Sequence, residues 1–201
     1  PCDLEEFRVQ AMATGFGRKE IEDFGIVNIP ADLNRFQKNK RPKLAPAYSD
    51  DMWRLVQEIK EDLMTEGAKK YLDQPRVSWF EATPPDASGL YGLWKDGESA
   101  PLYVGESSEL ARRYKSHSEN TYISALRRHV GTELLGFELK EKYGKMNRSF
   151  TDVEDRMVNA FLSSCTYSWL PVGLGRCEVE SFLITKQAPI LNRKGNRRQP
   201  V

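Results

Sequence analysis

Apolar and polar positions alternate along the chain with two different periods, and the switch between them falls within the thirty residues from Ser88 to His117. Gly89 to Lys95 and Pro101 to Gly105 are short runs rich in Leu, Tyr, Trp and Val, separated by an Asp96-Gly97 pair; this predicts an antiparallel hairpin. With the turn centred on Gly97, Tyr91 and Tyr103 stand directly opposite each other and share one face. After Gly105 the period lengthens. Ser107 or Ser108 can cap a helix in which Leu110, Arg113, Tyr114 and His117 recur at i, i+3, i+4 and i+7. Arg113 and His117 then project from one side of that helix. Two phenols, a guanidinium and an imidazole are expected to converge on one place.

The flanking segments read as mostly helical. Leu4 to Thr14 puts Leu4, Phe7, Ala11 and Met12 along a short helix that Gly15 and Gly17 stop, and Arg18 to Phe24 adds another turn or two. Pro30, Pro42 and Pro46 bracket a segment that is mainly loop, with a helix over Ala31 to Gln37. Ser49 caps a long helix with Met52, Leu55, Val56, Ile59 and Leu63 in one stripe, expected to pack on the core; Gly67 weakens it, and Pro75 lies past its end. Arg76 to Phe80 reads as a strand. Ile123, Leu126, Val130 and Leu134 define a helix over Tyr122 to Leu135, where His129 is read as a surface or core residue, and Phe137 to Tyr143 fits strand or helix. Thr151 and Glu154 have capping-box spacing ahead of a helix with Val153, Met157, Val158, Phe161 and Leu162 on its apolar face. Thr166 to Val172 reads as a strand and Gly175 to Lys186 as the last helix.

Composition narrows this picture. A chain of 201 residues with 39% apolar and 29% charged side chains suits a globular fold and excludes a disordered one. No apolar stretch is long enough to cross a bilayer and no signal peptide is visible, so a cytoplasmic protein without a membrane partner is expected. Cys2, Cys165 and Cys177 show no CxxC spacing, pointing to a reducing compartment and no zinc site. The net charge of +1 divides into −3 over residues 1–88 and +4 over residues 89–201. Two clusters stand out: Arg35, Lys38, Lys40, Arg41 and Lys43, then Arg193, Lys194, Arg197 and Arg198. Either cluster could grip DNA phosphates. Each also fits a solvated loop or tail. Lys140, Lys142, Lys145 and Arg148 have the same two readings.

Gly89-Leu90-Tyr91, then Tyr103-Val104-Gly105 with Arg113 ten residues beyond Tyr103, then His117, resemble the GIY-YIG nuclease superfamily. A second block, EVESFLITKQAPILN, places Glu180, Leu183, Ile184, Pro189 and Asn192 as in that family's acidic helix and closing asparagine. Glu106 is a departure, since many members carry a neutral or basic residue there. The resemblance implies an α+β fold, a small, largely antiparallel sheet flanked by helices, over residues 88–201. Residues 1–87 are then a mainly helical N-terminal extension packing on that core, with a DNA-targeting role open to it.

The resemblance also implies the chemistry: hydrolysis of a DNA phosphodiester with a divalent cation, Mg2+ or Mn2+, bound at Glu180. Catalytic roles fall to Tyr91, Tyr103, Arg113, His117 and Glu180, with Asn192 in support. Arg113 would stabilise the phosphate's charge and Tyr91 would activate water, its phenol lowered from an ordinary pKa near 10 by neighbouring cations. His117 would relay the proton or hold the water, and Tyr103 would orient the phosphate. A metal-dependent DNA endonuclease of restriction or phage-defence type is the leading expectation, since no separate DNA-binding motif is recognisable. A structure-specific repair nuclease or a homing nuclease shares the chemistry, although homing enzymes usually carry a C-terminal targeting region and nine residues follow Asn192. A catalytically silent DNA-binding protein is the contrasting class, and it would gain nothing from keeping all five catalytic side chains. A paired cut across two strands would suit a homodimer.

Overall fold

Six of the seven residues from Gly89 to Lys95 are buried, so this strand has to be covered on both faces. The computed structural model of the protein describes residues 14–28, 50–119, 121–142 and 145–192. The helices expected over Leu4 to Thr14 and Ala31 to Gln37 lie wholly or mainly outside these residues, as do the cap at Ser49, Cys2 and both basic clusters. The described elements are α1 (Arg18–Asn28), α2 (Asp50–Glu58), α3 (Lys60–Leu72), β1 (Val77–Ser78), β2 (Gly89–Lys95), β3 (Tyr103–Ser107), α4 (Leu110–Glu119), α5 (Ala125–His129), β4 (Lys140–Lys142), β5 (Lys145–Ser149), α6 (Asp152–Ser163), β6 (Cys165–Pro171) and α7 (Arg176–Gln187).

The main sheet is antiparallel, in the order β1-β6-β2-β3, and β4-β5 form a separate ribbon. Alternation along β2 sends Tyr91 and Leu93 to one face, where they join Tyr167, Leu110, Leu126, Val158 and Leu162. Leu90 and Trp94 go to the other face, against Tyr71, Val104, Leu170, Val179 and Leu183. Helices therefore sandwich the sheet: α4, α5 and α6 on one side, α3 and α7 on the other. The molecule is α+β, a small antiparallel sheet flanked by helices with a helical N-terminal part.

Several elements differ from their sequence pattern, each for a local reason. The hairpin register pairs Tyr91 with Gly105 and Leu93 with Tyr103, so the two tyrosines are diagonal rather than opposite. Asp96-Gly97 does turn the chain, with Gly97 at φ 78°, but the connection runs on to Leu102, which moves the pairing by two residues. A two-residue shift preserves the face. The long helix is interrupted at Ile59, giving α2 and α3. Gly67 sits inside α3, where its missing side chain lets Val179 of α7 approach; a Cβ there would be 3.1 Å from Val179. Of the apolar stripe, Val56 and Leu63 pack on the core while Met52 and Leu55 are more than half exposed. The strand over Arg76 to Phe80 shrinks to Val77–Ser78 because a 3-10 turn follows, burying Trp79 and exposing Phe80. The helix over Tyr122 to Leu135 starts only after the Ser124 cap and widens into a π-turn over Val130–Leu134. The capping box of Thr151 and Glu154 is present with both of its bonds.

Candidate active site

Tyr91 sits in the middle of β2, flanked by glycine on the neighbouring strand. A Cβ on Gly105 would stand 2.5 Å from Tyr91 Cζ and 2.6 Å from its hydroxyl, so the second glycine of Tyr-Val-Gly is what gives the phenol room. Tyr167 stacks on the Tyr91 ring at 6.0 Å, and Tyr103 lies at 6.1 Å. The Tyr114 hydroxyl donates to the Trp79 carbonyl and keeps this aromatic wall in place.

From α4, His117 Nε2 comes within 2.9 Å of the Tyr91 hydroxyl. His117 is buried, and burial followed by the charges of Arg113, Arg127 and Arg128 pushes its pKa down to about 3, so the imidazole is neutral. Burial also raises the Tyr91 phenol well above its ordinary value; Arg113 works in the other direction and is outweighed. The lowering expected for Tyr91 is therefore opposed by desolvation, which outweighs the charge of Arg113. Tyr103 is raised too, by burial first, while a hydrogen bond from Tyr91 and the charge of Arg113 oppose the rise. Arg113 is half-buried, and among the described residues its guanidinium makes no ion pair, so it remains available to an anionic ligand.

β3 is an edge strand, and its outward N–H groups need partners. Val104 N–H donates to Asn192 Oδ1 at 2.8 Å, and Asn192 Nδ2 returns a bond to the Val104 carbonyl at 2.6 Å. Glu106 N–H donates to Glu180 Oε1 at 3.1 Å. The acidic residue and the asparagine therefore close the same strand edge on either side of Gly105, and the charge of Glu180 reaches Tyr103. Tyr91, Tyr103 and His117 are brought together around the middle of β3 within reach of the Arg113 charge, while Glu180 and Asn192 sit along its open edge.

Residues 88–200 match the model of the GIY-YIG catalytic domain. The chain belongs to the GIY-YIG family. No curated protein matches it. GIY-YIG membership makes this a nuclease domain, a phosphodiesterase whose substrate is DNA. Among the described residues no group of three or more His, Cys, Asp or Glu side chains gathers to hold a metal. One carboxylate held on a main-chain N–H still fits a hard cation such as Mg2+, which keeps several waters and takes further ligands from substrate phosphate; it does not fit zinc. No helix among the described residues is long and apolar enough to cross a membrane.

Three contributors to the site were not singled out from the sequence. Ser124 caps α5 and also contacts His117 Nδ1 at 2.7 Å. Arg127, buried beneath it, bonds the His117 carbonyl, Asn159 and Asp155. Arg176 at the start of α7 joins Glu106 at 2.8 Å to Glu20 of α1 at 2.6 Å. A cation at a helix N-terminus opposes the helix dipole, and that was the available signal that Arg176 had acidic partners. Glu106, the departure from the family pattern, is explained by the same contact. His129 is half-buried, and its Nδ1 bonds the Leu191 carbonyl at 2.7 Å.

Proposed function

We propose that the protein is a Mg2+- or Mn2+-dependent DNA endonuclease of restriction or phage-defence type. The observation that carries this reading is the convergence around β3 of the Tyr91–His117 pair, the Arg113 guanidinium, which makes no ion pair among the described residues, and a carboxylate anchored to the Glu106 N–H. Arg113 binds the scissile phosphate and stabilises the charge that grows on its oxygens through charge-assisted hydrogen bonds. Tyr103, diagonal to Tyr91 on the same face, orients that phosphate. Tyr91, once its own proton has left, takes a proton from the attacking water as the water oxygen bonds to phosphorus, and His117 holds the Tyr91 oxygen in place. Glu180 would hold the cation, which supplies Lewis-acid stabilisation of the departing 3′ oxygen. Asn192 keeps the edge of β3 straight beneath these groups.

Target choice is assigned to parts outside this constellation, the β4–β5 ribbon with Lys140 and Arg148 among them, and cutting both strands to a homodimer. Nicking of supercoiled plasmid with Mg2+ tests the reading. Glu180→Ala and Arg113→Ala should each lose about a hundredfold or more in rate, and cleavage that survives both changes would reject the site. Sequenced cut ends at one recurring motif would support the restriction reading, while cuts confined to branched or nicked DNA would replace it with a repair role.

A further inference from the structure

A line of buried groups leads from the interior to the Tyr91 hydroxyl. The Arg127 main-chain N–H donates to Ser124 Oγ at 3.1 Å; Ser124 Oγ lies 2.7 Å from His117 Nδ1, and His117 Nε2 lies 2.9 Å from Tyr91 OH. Ser124 is 0% exposed, His117 1% and Tyr91 2%, so none of these atoms can turn to solvent for a partner.

A serine hydroxyl has one proton to give. Ser124 Oγ already accepts from Arg127, and among the described residues the acceptor within its reach is His117 Nδ1. Were Nδ1 protonated instead, it would donate to Oγ and leave the serine proton buried without an acceptor. A penalty of that kind favours the other tautomer by on the order of tenfold or more. We propose that Ser124 is a positioning residue that fixes His117 as the Nε2–H tautomer, so that His117 donates a hydrogen bond to the Tyr91 oxygen instead of accepting the Tyr91 proton.

The outer end of the line agrees. Tyr91, accepting from His117, has its own proton for Tyr103, and a hydrogen bond from Tyr91 to Tyr103 contributes to the shifts of both phenols with opposite signs. Burial keeps His117 neutral, so the choice lies between two neutral tautomers. Every donor then points towards the mouth of the site, and such a line strengthens along its length. Its polarity gives the Tyr91 oxygen an N–H donor from His117, which favours the phenolate and works against the burial that raises this phenol. The phenolic proton leaves outward through Tyr103 to solvent. The phenolate then takes a proton from water as the water oxygen bonds to phosphorus and the 3′ oxygen departs with the bonding pair. Only this last step rests on the nuclease reading; the tautomer belongs to the resting protein.

The test is long-range proton–nitrogen NMR on protein carrying 15N-labelled histidine, without DNA or metal, with His129→Gln used to sort the two histidines of the chain. His117 should show a protonated Nε2 and a bare Nδ1 between pH 5 and pH 8. Ser124→Thr should keep that pattern, and Ser124→Ala should shift the tautomer ratio by tenfold or more. In cleavage, Ser124→Ala should lower kcat about tenfold with KM for DNA changed less than twofold, and Ser124→Thr should restore kcat. If Ser124→Ala does not fold, the wild-type spectrum alone decides. A protonated Nδ1 in the wild type, or a tautomer ratio unmoved in Ser124→Ala, overturns the proposal. Glu180→Ala and Arg113→Ala should leave the spectrum unchanged, so failure of the nuclease reading would be told apart from failure of this one.

Discussion

Desolvation, more than any single charge, sets the acid–base state of the side chains around Tyr91. His117 shows the consequence for stability. Its folded pKa of about 3 lies below the value near 6.5 of an exposed histidine, so below pH 6.5 the unfolded chain takes up a proton that the folded protein refuses. Acid therefore favours unfolding, and the loss grows by about 1.4 kcal/mol per pH unit from pH 6.5 down towards pH 3. Urea unfolding across that window should show a slope that flattens in His117→Asn; an unchanged slope would mean that this histidine is protonated in the folded state. Gly105 gives a second test at the same scale. In Gly105→Ala the new methyl would meet the Tyr91 ring and hydroxyl, and displacing that phenol by an ångström should lower kcat by about a hundredfold while the protein stays folded. Wild-type kcat with the ring unmoved would show that the site tolerates a side chain there. The tyrosines, the arginine, the histidine and the glutamate were visible in the sequence because motif spacing carries them. Ser124 was not, because its contact with His117 spans two elements and its sequence signal is only that of a helix cap.

At the scale of strands and helices, the open edge of β3 organises the site. Two of its outward N–H groups are taken by side chains, Asn192 Oδ1 and Glu180 Oε1, so the same bonds that protect the edge also place the carboxylate. Asn192→Ala removes two buried hydrogen bonds to Val104 and leaves that main chain unpartnered, an expected loss of about 1–3 kcal/mol in urea unfolding. Asn192→Asp keeps an acceptor but loses the donor to the Val104 carbonyl and should fall between; equal stability of all three proteins would reduce Asn192 to a loop residue. Strand identity was readable in β2, β3 and β6 from short runs rich in Leu, Tyr, Trp and Val bounded by turn residues. The hairpin register was not, because Asp96-Gly97 marks where the chain turns but not how many residues through Leu102 the connection consumes. The π-turn after α5 was hidden for a related reason: Val130 and Leu134 fit a helical period, and only packing of Phe150 against Gly131 reveals the widened turn.

Across the whole molecule, the segment that matches the GIY-YIG model is not electrostatically self-sufficient. Arg176 is 4% exposed and Glu20, outside the matched residues, is 5% exposed; their 2.6 Å contact is a buried ion pair that joins α1 to α7. Burial works against the guanidinium's charge, yet Glu20 and then Glu106 raise its pKa above the ordinary value. Phe16 packs over Gly175 at the start of α7 and is itself held by the Gln57 side chain of α2, so this packing and the Glu20–Arg176 pair fasten the N-terminal segment to the helix that carries Glu180. Periodicity showed helices in this region but gave no sign of this fastening, since a Glu on an amphipathic helix ordinarily faces water. Removing one partner of a buried pair leaves the other charge uncompensated, which costs about 3–5 kcal/mol. Glu20→Ala should therefore lower unfolding stability by roughly that amount, and Glu20→Gln, which can still accept a hydrogen bond, by less. The double change Glu20→Ala with Arg176→Met removes both charges and should recover part of the loss. On the proposed Mg2+-dependent reading, because Glu106 bonds Arg176 through its side chain and Glu180 through its N–H, Glu20→Ala should also raise the Mg2+ concentration needed for half-maximal cleavage. A Glu20→Ala protein as stable as the wild type would mean that α1 merely rests on the nuclease domain, and residues 88–201 should then fold and cut DNA alone.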